Sequence, residues 1–313
     1  MQTSDTVLMP RFILTRAAAA GVDPERLARA AGMPDWQVGD GDSRVSSELF
    51  PRLWELFEHE TGDPGTTLRT IGGYRIGEFG LVDYLVSSAD TLGEGLAVAG
   101  PYVGTASTNY RFEAAESTET EANFELFMIN GAGRGRDLAV QAVIGVLVSR
   151  IRQMTGRPID PVRVAFRERA PRDHTAFTDA FGSARVDFGA PIDTVTFRTA
   201  DFDLRQVTGD RMLAAVLRRH AATMPPPPPR ATEWPDRIAG VLAQTLTAAE
   251  PSLDQVARRL FTSPRTLQRR LHESGTTWTL EVDRARKLRS EQPDSGAAAL
   301  DRIGETASHD DLG

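Results

Sequence analysis

The sequence predicts an α+β N-terminal domain followed by an all-α helix-turn-helix domain. Three observations predict this: mixed helical and alternating apolar patterns up to about residue 224, a proline run at 225–229, and two short amphipathic helices near residue 260. A chain of 313 residues is also long enough for more than one domain. We therefore predict domains at 1–224 and 232–313, joined by a proline-rich linker at 225–231.

The composition excludes several classes of protein. With 40% hydrophobic and 25% charged residues, it is typical of a soluble globular protein. No stretch approaches the about 18 consecutive apolar residues of a membrane helix, and the N-terminus lacks a signal-peptide pattern. The chain has no cysteine, and its five histidines are scattered without metal-ligand spacing. We expect a cytoplasmic protein with no cofactor, no metal ion and no membrane partner.

The pattern of the first domain changes near residue 108. Before it, apolar residues at helical spacing predict helices at about 7–33, 46–60, 67–76 and 81–103, the first and last each broken into two. After it, helical segments alternate with strands in no regular order, which favours an α+β fold. We predict strands at 109–116, 121–130 and 162–166, a strand pair at 184–188 and 193–197, and helices at 138–154, 174–181 and 210–220.

The clearest motif is LDQVARRLFTSPRTLQRRL, at 253–271. Apolar residues at i, i+3 and i+7 predict a first short helix, and a break follows. Ser263 suits the N-cap of a second helix, and Pro264 suits its first position. In that helix Leu267 and Leu271 would face inward. Two short helices joined by a tight turn are typical of a helix-turn-helix.

The outward face of this second helix carries groups that recognise DNA bases. Arg265, Gln268 and Arg269 are predicted to contact base edges in the major groove, because arginine pairs with guanine and glutamine with adenine. Three further residues are weaker candidates for contacts with the phosphate backbone: Ser263, Thr266 and Arg270. Residues 253–290 hold nine Lys and Arg against four Asp and Glu, although the chain as a whole is at −7. We therefore predict double-stranded DNA as a partner; the alternative is a solvated charged helix face.

This region resembles a known family. SPRTLQRRL, followed by Gly275-Thr-Thr277 and a long polar helix, resembles the first DNA-reading unit of AraC-type transcription regulators. That resemblance implies two helix-turn-helix units in tandem. LDRIGETAS at 300–308 echoes LDQVARRLF at 253–261, so the first unit is expected at about 234–288 and the second from about 300. Because Gly313 aligns with Thr266, the second unit is expected to be cut, which would weaken DNA binding.

The N-terminal part resembles the arabinose-type effector-binding domain of the same family. The residues that carry the resemblance are Gly21-Val-Asp-Pro24 with Leu27, Thr61-Gly-Asp-Pro64, Gly80-Leu-Val-Asp-Tyr84 with Leu92 and Leu96, and Phe188-Gly-Ala-Pro191. The resemblance implies a ligand-responsive, sequence-specific regulator that binds a small-molecule effector and forms a homodimer. RNA polymerase is a candidate partner. The sequence does not indicate which residues bind the effector.

Two alternatives stay open. The first is a truncated regulator that binds a small molecule and dimerises but no longer binds DNA tightly. The second is a nucleotide-using enzyme, since Gly131, Gly133 and Gly135 follow a strand and lead into a helix, as in a dinucleotide fingerprint. Arg136 stands where that fingerprint needs its third glycine, although Arg134 or Arg136 could assist an anionic ligand at the helix start. We predict no catalytic residues.

Overall fold

The computed structural model describes residues 3–33, 35–37, 41, 43–115, 117–223, 238, 241–242, 252–260, 262–273 and 276–290. The chain divides into two compact units, Gln2–Arg230 and Ala231–Gly313. The predicted linker at 225–231 and the predicted start of a second helix-turn-helix at 300–313 lie outside the described residues. None of the helices in the described ranges is long and apolar enough to cross a membrane.

The first unit combines helices with a mixed sheet, so the predicted α+β class is confirmed. Its helices are α1 Leu8–Ala19, α2 Pro24–Ala31, α3 Leu49–Thr61, α4 Thr66–Ile71, α5 Leu81–Ser87, α6 Leu92–Ala99, α7 Val103–Ala106, α8 Gly133–Thr155, α9 Thr175–Phe181 and α10 Arg211–Thr223. Its strands are β1 Ser4–Thr6, β2 Arg44–Ser46, β3 Tyr110–Ala114, β4 Glu121–Met128, β5 Arg163–Phe166, β6 Arg185–Phe188 and β7 Asp193–Arg198.

The main sheet has five strands in the order β3-β4-β7-β5-β6. Only β5 and β6 are parallel; the other neighbours are antiparallel. The sequence predicts β6 and β7 as a pair, and this prediction is wrong because β5 lies between them. Val164, Ala165 and Phe166 of β5 are buried, whereas β6 is partly exposed. The more apolar strand therefore takes the inner position, and the more polar one forms the edge.

Helix α8 is the central element of the first unit. It is buried along most of its 23 residues and packs against α3, α4 and β4. A Cβ atom at Gly135 would lie 2.8 Å from the Pro51 carbonyl oxygen, and one at Gly145 would lie 3.1 Å from Cγ2 of Ile71. These glycines therefore allow α3 and α4 to approach closely. This packing also explains why the helix begins at Gly133 and not at the predicted residue 138.

Two other boundaries differ from the predictions. Helix α4 ends at Ile71, before the predicted residue 76, because Gly72 and Gly73 follow and glycine is a poor helix former. The antiparallel pair β1 and β2 was not predicted, since three-residue strands are too short to show an alternating pattern.

The C-terminal end of α5 is tied to the start of α10. The Ser88 carbonyl oxygen accepts the Asp210 N–H at 2.9 Å. Thr208 Oγ1 donates to the Ser87 carbonyl oxygen at 2.7 Å, and Arg211 Nε donates to Asp90 Oδ2 at 2.7 Å. The residues that follow α5 therefore position the first turn of α10.

The second unit contains, within its described residues, α11 Leu253–Arg259, α12 Pro264–Glu273 and α13 Trp278–Ser290. A capping box starts α11: Ser252 Oγ accepts the Gln255 N–H at 3.2 Å, and Gln255 Oε1 accepts the Ser252 N–H at 3.0 Å. Residues of these helices form a small buried core with residues that precede them, namely Ile238, Leu242, Val256, Ala257, Leu260, Leu267, Leu271, Val282 and Ala285. The predicted inward positions Leu267 and Leu271 are confirmed.

Candidate nucleic-acid interface and ligand cavity

The first candidate site is the outer face of α12, formed by Arg265, Gln268 and Arg269. All three side chains are exposed, whereas Leu267 and Leu271 on the opposite side are buried. Positions three and four apart on a helix are surface neighbours, so the three polar side chains form one continuous patch. Their groups are those that pair with the major-groove edges of guanine and adenine.

The start of α12 is fixed by its cap. Ser263 Oγ accepts the Thr266 N–H at 3.1 Å and lies 2.8 Å from Thr266 Oγ1, which confirms the predicted N-cap. The two hydroxyls therefore stand together at the helix start, where backbone N–H groups favour an anion. Arg270 is half-buried and lies between the outer face and the core. Its contact with the phosphate backbone, like those of Ser263 and Thr266, stays a prediction.

The second unit carries other exposed cations on the helices before and after α12. Arg258 and Arg259 are exposed in the last turn of α11, and Arg284 and Arg286 are exposed on α13. Arg286 Nη1 lies 3.4 Å from Asp283 Oδ1 in a surface pair. Exposed pairs of this kind are weak, so the basic character of the unit is largely retained at its surface.

The second candidate site is a cavity of about 330 Å³ inside the first unit. We call it the Arg150 cavity, because Arg150 is the one charged residue among the described residues that line it. The remaining lining is overwhelmingly apolar and aromatic and comes from helices and strands distributed over the whole unit; it includes Phe12, Trp54, Phe112, Phe124, Val146 and Phe197. A concave apolar space with one strong polar anchor is typical of a small-molecule site.

Arg150 is held in place from two sides. Its Nη2 lies 2.5 Å from Asp83 Oδ1, and its Nε donates to the Tyr74 hydroxyl at 3.2 Å. Asp83 Oδ2 also accepts the N–H groups of Gly77 at 3.0 Å and Phe79 at 2.9 Å. Burial opposes the charge of Arg150, but the Asp83 carboxylate raises the pKa of Arg150 above its ordinary value. Burial raises the pKa of Tyr74, so its hydroxyl stays neutral.

Sequence reasoning named no ligand-binding residue, although two signals pointed to this one. Arg150 falls on the apolar side of a helical pattern, three residues after Leu147 and one before Ile151. Asp83 belongs to the Gly80-Leu-Val-Asp-Tyr84 segment that carries part of the family resemblance. An arginine on an apolar helix face needs a buried partner, and a buried aspartate supplies it.

The glycine cluster before α8 does not form an open anion site. Gly131 and Gly133 have φ angles of +125° and +58°, which favour glycine for conformational reasons. Arg134 pairs with Glu58, with Nε 3.1 Å from Oε1, and with Glu168 at 2.8 Å. Arg136 pairs with the buried carboxylate of Asp193. Both arginines are therefore matched by carboxylates of the chain, and the nucleotide alternative gains no support.

Glu168 is the most strongly perturbed carboxyl group of this network. Burial raises its pKa to about 7, against the opposing effects of Gln141 and Arg134. Gln141 Nε2 donates to Glu168 Oε1 at 2.7 Å. Within the described ranges, no group of three or more histidine, aspartate or glutamate side chains could hold a metal ion.

Known proteins resemble this chain over most of its length. Residues 21–206 match the model of the arabinose-binding N-terminal domain of AraC transcription regulators. An ornithine utilization regulator of Pseudomonas aeruginosa is 22% identical over 275 residues, which cover 88% of this chain and 80% of the relative. The crystal structure of the transcriptional regulator CdpR from Pseudomonas aeruginosa is 19% identical with a TM-score of 0.48, covering 90% of this chain and 84% of that chain.

Proposed function

Because the chain belongs to the AraC-type transcription regulators with an arabinose-binding N-terminal domain, we propose that it binds its effector in the Arg150 cavity and reads DNA with the outer face of α12. The family is one of ligand-responsive transcription regulators, so both a ligand and DNA are expected partners. The observation that carries the proposal is the capped helix α12, with Leu267 and Leu271 in the core and its base-reading side chains exposed.

In the proposed complex α12 lies in the major groove. Arg265, Gln268 and Arg269 contact base edges, and each bidentate contact contributes about 1–3 kcal/mol of discrimination between bases. Ser263, Thr266 and Arg270 contact the phosphate backbone and set the register, without reading sequence. We further propose that the protein acts in the cytoplasm, and RNA polymerase is a candidate partner of the DNA-bound form.

The experiment is a comparison of two arginine variants on two DNAs. A binding site is first selected from a random duplex pool with the full chain. Arg269→Ala should then weaken binding to that site by about tenfold or more, with a smaller effect on a scrambled duplex, in fluorescence anisotropy. The control, Arg259→Ala on α11, should weaken both duplexes equally and reduce the slope of log K against log salt by about 0.9. Equal losses with Arg269→Ala would make that residue a phosphate contact, and failure to select any site would support the regulator that no longer binds DNA tightly.

We also propose that the chain acts as a homodimer through α10. Met212 and Val216, four residues apart on one face of α10, are 79% and 57% exposed. An apolar stripe of this kind on a helix of 13 residues suits pairing with a second copy. A dimer would present two α12 helices to half-sites one or more helical turns apart. The effector would then act by shifting the population of dimer arrangements that fit those half-sites.

Sedimentation equilibrium tests the dimer. Introducing a charge into the stripe with Met212→Asp and Val216→Asp should shift the full chain toward monomer. The matched control is Val207→Asp, which charges another exposed apolar residue (71% exposed) of the same unit outside α10. An unchanged mass distribution in the double variant would place the dimer interface elsewhere or leave the chain monomeric.

A further inference from the structure

We propose that the effector is an apolar molecule with one carboxylate group, which pairs with Arg150. The inference rests on the proposed function, in which the Arg150 cavity is the effector site. This class of ligand differs from arabinose, after which the matched domain family is named, and from ornithine, after which the relative is named. Three features carry it: the apolar lining, the chemistry of the single cation, and the volume.

The apolar lining argues against a sugar. Each hydroxyl of a sugar must keep a hydrogen-bond partner when it leaves water, because a buried hydroxyl without a partner weakens binding. Phe12, Trp54, Phe112, Phe124 and Phe197 surround the space with apolar and aromatic surface. Such a surface gains free energy when it contacts hydrocarbon and provides few partners for hydroxyl groups.

Arg150 provides the recognition of a carboxylate. A guanidinium has five N–H donors, and only Nε to Tyr74 and Nη2 to Asp83 take part in the bonds described above. The Asp83 carboxylate is itself stabilised by the N–H groups of Gly77 and Phe79, so its negative charge is shared among three partners. The cation therefore remains able to bind a second carboxylate from the cavity side, in the paired geometry that arginine favours.

The charge of the lining also disfavours an amino acid with a side-chain amine. The described lining residues of the cavity include no carboxylate, so both ammonium groups of such a molecule would be buried without a partner. The volume of about 330 Å³ lies near the lower end for ligand pockets and corresponds to roughly eleven water-sized groups of about 30 Å³ each. A medium-chain aliphatic acid has about this size.

The test compares four probes on the purified full chain by isothermal titration calorimetry: octanoate, 1-octanol, L-arabinose and L-ornithine. Octanoate should bind, and 1-octanol should bind about tenfold or more weakly, because the alcohol cannot form a charge-assisted pair. Neither arabinose nor ornithine should show measurable binding. In Arg150→Gln, the affinity for octanoate should fall to that for 1-octanol, while the affinity for 1-octanol stays unchanged.

Four control variants separate charge recognition from folding. Asp83→Asn with Arg150→Gln keeps the pair neutral, so loss of octanoate binding in this double variant cannot come from a stranded buried carboxylate. Asp83→Asn alone retains Arg150 and should bind octanoate at least as tightly as the parent chain. Arg163→Gln, which removes an arginine from a surface pair with Asp187, should change nothing. Val146→Phe fills the cavity and should weaken octanoate and 1-octanol alike.

Each remaining outcome overturns the inference in a distinct way. Equal affinities for octanoate and 1-octanol, or octanoate binding that survives Arg150→Gln, would leave the cavity as a ligand site without carboxylate recognition. Binding of arabinose or ornithine alone would reject the ligand class but keep a ligand-responsive regulator. Failure of all four probes would reject the ligand class, whereas the duplex experiment with Arg269→Ala decides the DNA-binding function independently.

Discussion

The two units place arginine in opposite environments. On α8 of the first unit, Arg136 and Arg150 are turned inward and pair with the buried carboxylates of Asp193 and Asp83. On α12 of the second unit, Arg265 and Arg269 are exposed. The same side chain therefore supports the fold where the chain provides a buried carboxylate, and faces the solvent on α12. The net charge of the chain, −7, does not show this difference between buried, paired arginines and exposed ones.

The largest effect expected from this contrast concerns stability. Arg136→Met leaves the Asp193 carboxylate buried without its guanidinium, which should lower the free energy of unfolding of the first unit by about 3–5 kcal/mol. Arg265→Met changes an exposed side chain and should alter the stability of its unit by less than about 0.5 kcal/mol. Urea unfolding followed by circular dichroism measures both. A loss below about 1 kcal/mol in Arg136→Met would show that the first unit does not depend on its inward pairs.

A smaller effect depends on pH and on Glu168. Because burial raises the pKa of Glu168 from 4.5 to about 7, the folded state holds a proton that the unfolded state releases between these values. The contribution of Glu168 to the free energy of unfolding is thus fully present below about pH 4.5 and is lost as the pH rises through about 7. This loss amounts to at most about 3 kcal/mol. Glu168→Gln should flatten this part of the stability profile of the first unit, measured by urea unfolding at several pH values.

Glu119→Gln, which changes an exposed glutamate between β3 and β4, is the control and should leave the profile as it is in the parent chain. If Glu168→Gln leaves the slope between pH 4.5 and 7 unchanged, the folded state does not hold this proton.

The smallest effect sharpens the contrast within the second unit. Ser263→Ala removes the N-cap of α12 and should lower the stability of that unit by about 1 kcal/mol. Ser263→Asp keeps a capping oxygen and should restore stability, but its negative charge should weaken DNA binding through repulsion of phosphate. Thermal unfolding and fluorescence anisotropy measure the two properties. Unimpaired DNA binding by Ser263→Asp would place Ser263 away from the phosphate backbone.

Local sequence signals were sufficient for parts of the structure that form from neighbouring residues. The cap at Ser263, the start of α12 at Pro264 and the inward leucines follow from spacing and propensity within one segment. The α+β class follows from the change of apolar period near residue 108. These features depend on few residues, and each is confirmed.

Features made by distant segments were not predicted. The position of β5 between β6 and β7 depends on which strand is most apolar on both faces. That can be judged only by comparing strands that lie far apart in the sequence. The Arg150 cavity joins residues from most elements of the first unit, and its anchoring pair links Asp83 and Arg150 across 67 positions of the sequence. The start of α8 at Gly133 likewise depends on the close approach of α3, which packing decides.

Helix α5 connects the Arg150 cavity to the start of α10, near the C-terminal end of the first unit. Asp83, which pairs with Arg150, lies in the first turn of α5. The residues just beyond the last turn of α5 form hydrogen bonds with the start of α10. The helix has seven residues and is thus only about 10 Å long. Under the proposed function, a ligand at Arg150 and the start of α10 are therefore separated by the length of one short helix, and no strand of the main sheet lies on this route.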